Sequence, residues 1–201
     1  NTFVVGTENS GDVAASYQVA KFLGTRHYVF QYTFDEMVKA LPEVIYHLES
    51  YDAALIRSAI PNYFLARLAS QHVKVILTGE GADELYAGYE YLETVDDPVE
   101  LQSELLMITG SLHNTNLQRA DRMSMACGLE ARVPFLDKAF VDYSLALPPD
   151  WKLHTRGWPE KELLRRACAG LVPDEILNRS KQKFSDGAGS IDILASYANQ
   201  N

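Results

Sequence analysis

The stretch "VKVILTGEGADEL", Val73–Leu85, decides how the rest of the chain is read. Val73, Val75, Ile76 and Leu77 form a nearly unbroken apolar run that ends in Gly79 and Gly81. Glu80, Asp83 and Glu84 then place three carboxylates within five residues. An apolar run without alternation is what a parallel strand covered on both faces requires. Ligands of open parallel sheets gather beyond the carboxyl ends of the strands. The stretch therefore predicts a strand, a tight turn and a set of acids facing a ligand.

Working outward, the upstream half alternates strand and helix. "TFVVG", Thr2–Gly6, is a short apolar run closed by glycine. "SGDVAASYQVAKFLG" follows at helical spacing, with Ala15, Val19, Phe22 and Leu23 as the expected inner face and Gly24 as the stop. "HYVFQY", His27–Tyr32, predicts the next strand. Met37, Leu41, Val44, Ile45 and Leu48 mark a helix that Pro42 is expected to divide, because proline lacks an N–H and clashes with the preceding turn. "RSAIPNYFLARLAS" predicts a further helix with Pro61 in its first turn and Ile60, Phe64 and Leu68 on one face. Downstream of Tyr91 strand signals fade. Helical patterns run through "DPVELQSELLMITGSLH", "NTNLQRADRMSMAC", "FLDKAFVDYSLALPP" and "PEKELLRRACAG", with Asp137 expected as an N-cap and Pro159 as a helix start. The expected architecture is α/β: an open, parallel, Rossmann-like sheet in residues 1–91 and a helical cluster in 92–201 of the same domain.

Composition bounds the function. The chain has 201 residues, 47% of them hydrophobic, enough for a sizeable core. Its net charge of −9 argues against a phosphate-neutralising nucleic-acid surface. No apolar run approaches the roughly 20 residues of a membrane span. Cys127 and Cys168 have no metal-binding spacing and read as free thiols of a reducing, cytoplasmic compartment. The first residue is Asn1 rather than Met, so a longer parent chain is expected.

The carboxylate turn has a direct chemical reading. Gly79 and Gly81 let backbone approach a ligand or take a positive φ. Asp83 and Glu84 offer hard oxygens of the kind that hold Mg²⁺ together with substrate phosphates. Glu80 is placed to orient or deprotonate a nucleophile. A solvated turn with acids at a helix start fits the same residues. "NRSKQKFSDG" gathers Arg179, Lys181 and Lys183, a cluster suited to a phosphate leaving group or to a solvated face. "RADRMSMACGLEARVPFLD" packs Arg119, Asp121, Arg122, Glu130 and Arg132 among apolar residues, as ion pairs or a polar pocket.

These stretches, in order, resemble the synthetase domain of glutamine-hydrolysing asparagine synthetases, over roughly residues 2–190. The resemblance implies an ATP-dependent ligase of the adenine-nucleotide α-hydrolase type. Aspartate would be activated as β-aspartyl-AMP, and ammonia from an upstream glutaminase domain would displace AMP. It assigns adenine to the backbone of Val5 and nucleotide contacts to Thr78 and Gly79. Catalytic roles fall to Glu80 and Lys181, and Mg²⁺ to Asp83. Tyr89, Asp121 and Arg122 are weaker candidates for the substrate pocket. Neither nucleic acid nor membrane is implied, and a homodimer is left open.

One departure bears on all of this. The family's Ser-Gly-Gly-Leu-Asp-Ser-Ser pyrophosphate loop does not occur in these 201 residues. "ENSGDVAAS", Glu8–Ser16, corresponds to the segment that follows it. The central first strand, between "FVVG" and "VKVILTG", is therefore expected to be absent too, which implies a partial domain inactive alone. A degenerate non-catalytic homologue and a β-lactam-synthetase-like adenylating enzyme are the alternatives.

Overall fold

Two kinds of local signal set the upstream elements: polar caps that start helices and apolar stripes that bury them. The computed structural model describes residues 1–153, 159–180 and 188. Strand β1 (Thr2–Gly6) leads into helix α1 (Gly11–Leu23), whose cap Ser10 accepts from the Val13 N–H and which ends at Gly24 in the left-handed region. Strand β2 (His27–Gln31) returns parallel to β1, with Thr2 opposite His27 and Gly6 opposite Gln31. This succession of strand, helix and parallel strand is the α/β unit that the alternation of patterns predicts.

Helix α2 (Phe34–Leu48) is one helix, not two, and runs through Pro42. Its start is set by a capping box between Thr33 and Glu36. Met37, Ala40, Leu41, Val44 and Leu48 are buried on both sides of the proline. A buried Leu, Val or Met contributes about 1.5–3 kcal/mol, so several together outweigh the roughly 3 kcal/mol that an interior proline costs. Helix α3 (Ala53–Ser70) corrects the reading of Pro61 in the same way: the proline lies mid-helix. Asp52 Oδ1 accepts from the Leu55 N–H at 2.7 Å and moves the start eight residues before the proline. Burial of Leu55, Ile56, Ala59 and Ile60 ahead of it, and of Tyr63 and Phe64 behind it, holds the helix continuous.

The described residues divide into two compact units. One holds Asn1–Ile76, Asn116–Ala131 and Ala188; the other holds Leu77–Thr115 and the described residues between Arg132 and Ser180. The first unit has its main core around Val5, Tyr32, Val44, Leu48, Ile60, Phe64 and Met123, the last from helix α6 (Asn116–Met125). On α1 the buried residues are Val13 and Ala20, one stripe at i and i+7. The expected inner residues Phe22 and Leu23 are instead about half exposed, at 53% and 50%. The Ser10 cap sets where the helix starts, and the Val13–Ala20 stripe is the face that is buried.

Strand β3 (Val75–Leu77) pairs with β4 (Glu130–Arg132). The Glu130 N–H donates to Lys74 O at 2.9 Å and the Thr78 N–H to Arg132 O at 2.9 Å. Both strands advance in the same direction between these bonds, the pattern of a parallel pair. The expectation that β3 is covered on both faces is not met: Leu77 is 73% exposed and Val75 37%. Only Ile76 packs inward, against the small cluster of Ala66, Ala69 and Leu129. The partner strand is three residues long, and among the described residues the β1–β2 and β3–β4 pairs are separate sheets.

The second unit is mainly helical. Helix α4 (Ala82–Leu85) follows the turn, and α5 (Pro98–Ser111) starts at Asp97, whose carboxylate accepts from Val99 and Glu100. Helix α7 (Lys138–Ala146) begins at Asp137, the cap read from sequence, which accepts from Ala139 and Phe140. Helix α8 (Glu162–Ala167) starts three residues beyond Pro159, with Lys161 as its cap residue at φ +57°, and α9 (Asp174–Leu177) follows. Ala87, Leu92, Leu101, Leu105 and Leu153 form its core.

Candidate active site

The turn after β3 is built by one glycine that needs its conformation and one that needs its size. Gly81 has φ +100°, and a Cβ there would lie 2.5 Å from Leu136 Cδ2. Gly88 is not left-handed, but its Cβ would fall 2.0 Å from Asp83 Oδ1. The Gly88 N–H also donates to the Asp83 carbonyl at 2.8 Å. The Asp83 carboxylate thus sits in space that only glycine leaves open. Gly79 differs: a Cβ there meets nothing within 4 Å, so its backbone borders open space.

The three acids of the turn have different surroundings. Glu84 is 2% exposed and accepts from the Tyr89 phenol, which also stacks on Tyr91. That pairing makes Glu84 an internal acid and explains where Tyr89 points. Glu80, ahead of α4, and Asp83, in its first turn, are half-buried. Lys161 Nζ donates to Asp83 Oδ1 at 2.8 Å, with the two side chains 22% and 29% exposed. Among the described residues no group of three or more His, Cys, Asp or Glu side chains could enclose a metal ion. A hard cation such as Mg²⁺ at this turn would take one or two of these carboxylates and complete its shell with phosphate oxygens and water.

The remaining sequence-predicted residues fall as follows. Thr78, Gly79, Glu80, Asp83 and Tyr89 lie in the second unit, around the turn. Val5, Asp121 and Arg122 lie in the first. Val5 is 3% exposed and its side chain is core. The Thr2 N–H donates to Arg26 O and the Tyr32 N–H to Gly6 O, so residues 2, 4 and 6 pair with β2. By alternation the N–H and C=O of Val5 face the other edge of the strand. Asp121 is exposed on α6, and Arg122 pairs with Glu49 of the same unit. Lys181 and Lys183 lie outside the described residues. Arg165 was not singled out from sequence. Its guanidinium takes Glu160 as an ion-pair partner and donates to the carbonyls of Leu177 and Arg179, where it fixes the start of the basic segment.

Cys127 and Cys168 are both free, and burial pushes the Cys127 thiol up from its ordinary pKa. No helix among the described residues is long and apolar enough to cross a membrane.

An α/β fold with a glycine-bounded acidic turn at the end of a parallel strand places the chain in the Rossmann-like α/β class. Comparison with known proteins narrows the class. A family model described as asparagine synthase matches residues 1–97 and 93–200, and the chain belongs to that family. Asparagine synthetase [glutamine-hydrolyzing] 2 of Arabidopsis thaliana is 40% identical over 210 residues, covering 100% of this chain and 36% of its own length. The probable asparagine synthetase [glutamine-hydrolyzing] of Schizosaccharomyces pombe is 41% identical over 198 residues, covering 94% of this chain and 36% of its own. Asparagine synthetase [glutamine-hydrolyzing] of Sandersonia aurantiaca is 41% identical over 196 residues, covering 94% of this chain and 37% of its own length. The chain thus spans little more than a third of the length of these relatives.

Proposed function

We propose that this chain is part of the synthetase domain of a cytoplasmic, glutamine-hydrolysing asparagine synthetase and supplies one side of its ATP site. The observation that carries the reading is the match along essentially the whole chain, with the "TGEGADE" turn placed at the end of β3. In this reaction a side-chain carboxylate oxygen of aspartate attacks the α-phosphorus of ATP. The bond to the bridging oxygen breaks, and pyrophosphate leaves with its electron pair. Ammonia then attacks the acyl carbon of β-aspartyl-AMP, AMP departs, and nitrogen sheds a proton. Val5 reads adenine through backbone groups on the free-facing edge of β1. Thr78 and Gly79 meet the nucleotide from a strand end that borders open space. Asp83 is the carboxylate that holds Mg²⁺, which supplies charge neutralisation at the phosphates. Glu80 accepts or orients a proton at the attacking group, and Lys181 stabilises charge on the departing pyrophosphate. The ammonia comes from a glutaminase domain of the parent chain.

Aspartate labelled with ¹⁸O in its side-chain carboxylate tests the reading in the full-length protein. AMP carrying one labelled oxygen for each asparagine formed is the expected result. Unlabelled AMP, or ADP in its place, overturns it.

A further inference from the structure

Asp83 already has a cation. Lys161 reaches it from the cap of α8, and the contact joins residues 78 apart in sequence. Lys161 is held in the left-handed region at φ +57°, which costs a residue with a Cβ about 1 kcal/mol or more. From this strained position the side chain reaches Asp83, while Gly88 leaves the space that the carboxylate occupies. Both partners are less than a third exposed, so solvent screens them less than an ordinary surface pair. A hard divalent cation bound at Asp83 competes for the same carboxylate, whose Oδ1 the ammonium now engages.

We propose that Lys161 is the resident counter-ion of Asp83 and that a divalent cation must displace it, which makes Lys161 a positioning residue that sets the cation affinity of this site. The inference rests on the reading of Asp83 as the Mg²⁺ carboxylate. It follows from competition between two cations for one carboxylate. A bare ion that enters leaves an ammonium beside two added positive charges, so the site resists loading until negative charge arrives with it. Metal loading and nucleotide loading are thereby coupled through one side chain.

Mn²⁺ titration of the full-length protein, followed by water-proton relaxation without nucleotide, reads the affinity directly. Lys161→Met is expected to tighten Mn²⁺ about threefold, the size of a partly screened ion pair. Lys161→Gln serves as a second variant with the same expectation, and Lys161→Arg, which keeps the charge, stays close to the parent value. Asp83→Asn is expected to lose the affected site. Unchanged or weaker Mn²⁺ binding in both neutral variants, with the site still lost in Asp83→Asn, overturns the displacement proposal alone. An Asp83→Asn protein that binds Mn²⁺ as before overturns the assignment of Asp83 and the proposal with it.

Discussion

The Lys152 ammonium donates to the carbonyl oxygen of Ser144 at 2.6 Å, inside a corner where Lys152 is 6% exposed and Ser144 fully buried. Tyr86 closes the corner: its ring lies 5.9 Å from the ammonium and its hydroxyl 2.9 Å from Ser144 Oγ. Burial pulls the Lys152 pKa from 10.5 down to about 8. Below about pH 8 the amine is charged in both the folded and unfolded states, and the folded state bears the full cost of burying it. Between about 8 and 10.5 the unfolded chain binds more protons, so stability rises with pH across that window. Lys152→Met keeps the stem and removes the charge. We expect it to stabilise the protein at pH 7 by about 1 kcal/mol, since the lost hydrogen bond offsets part of the relieved desolvation. The gain should shrink by pH 10. Urea unfolding at both pH values checks this, and a destabilised Met variant at pH 7 overturns it.

Gly81 carries two constraints, and they can be separated. Gly81→Ala meets both a positive φ and the Leu136 side chain, and we expect a loss of about 2 kcal/mol or more. In a Leu136→Ala background the collision disappears but the backbone constraint stays. The additional cost of Gly81→Ala should therefore fall without vanishing. A full cost in both backgrounds shows that the conformation alone requires glycine.

How far these features were legible depends on their range. Asp137 and Gly24 act within a turn of their own helix, so their residue types announced a cap and a stop. Pro42 and Pro61 misled because a local rule met long-range burial: neighbours such as Val44 and Ile60 hold the helices through them. The face of α1 failed for the related reason that Phe22 and Leu23 suit a core as residue types, while the contacts available choose the Val13 stripe. β4, only "EAR", has no apolar alternation to see, and its backbone bonds to Lys74 and Thr78 leave no mark on the side-chain pattern. The acidic turn was visible because its glycines and carboxylates are contiguous. The Lys161–Asp83 contact and the Arg165 bonds to Leu177 and Arg179 were not, since nothing near either partner encodes a side chain so distant.

Glu80→Gln tests the proposed chemistry in the full-length protein. The amide keeps the size of the side chain and loses its charge and its capacity to take a proton. We expect an unchanged unfolding midpoint and a fall in turnover of about 10²-fold or more. Near-normal turnover reduces Glu80 to a turn carboxylate.

Lys181 is the residue on which the leaving-group assignment rests, and Arg165 bears on it. The Arg165 guanidinium holds the Arg179 carbonyl at 3.0 Å, two residues before Lys181. A fixed departure point makes the register of the basic segment matter, so Lys181 and Lys183 should not substitute for one another. Negative charge grows on the bridging oxygen as pyrophosphate leaves, so a lysine there acts more strongly in the transition state than on bound ATP. Lys181→Ala should lower kcat more than it raises KM for ATP. Lys181→Arg should rescue poorly, because a planar fork does not replace a compact charge. Lys183→Ala should be mild. Pyrophosphate release, measured for the three variants side by side, decides the matter. If Lys183→Ala is the damaging change and Lys181→Ala is silent, the leaving-group role moves two residues along the chain.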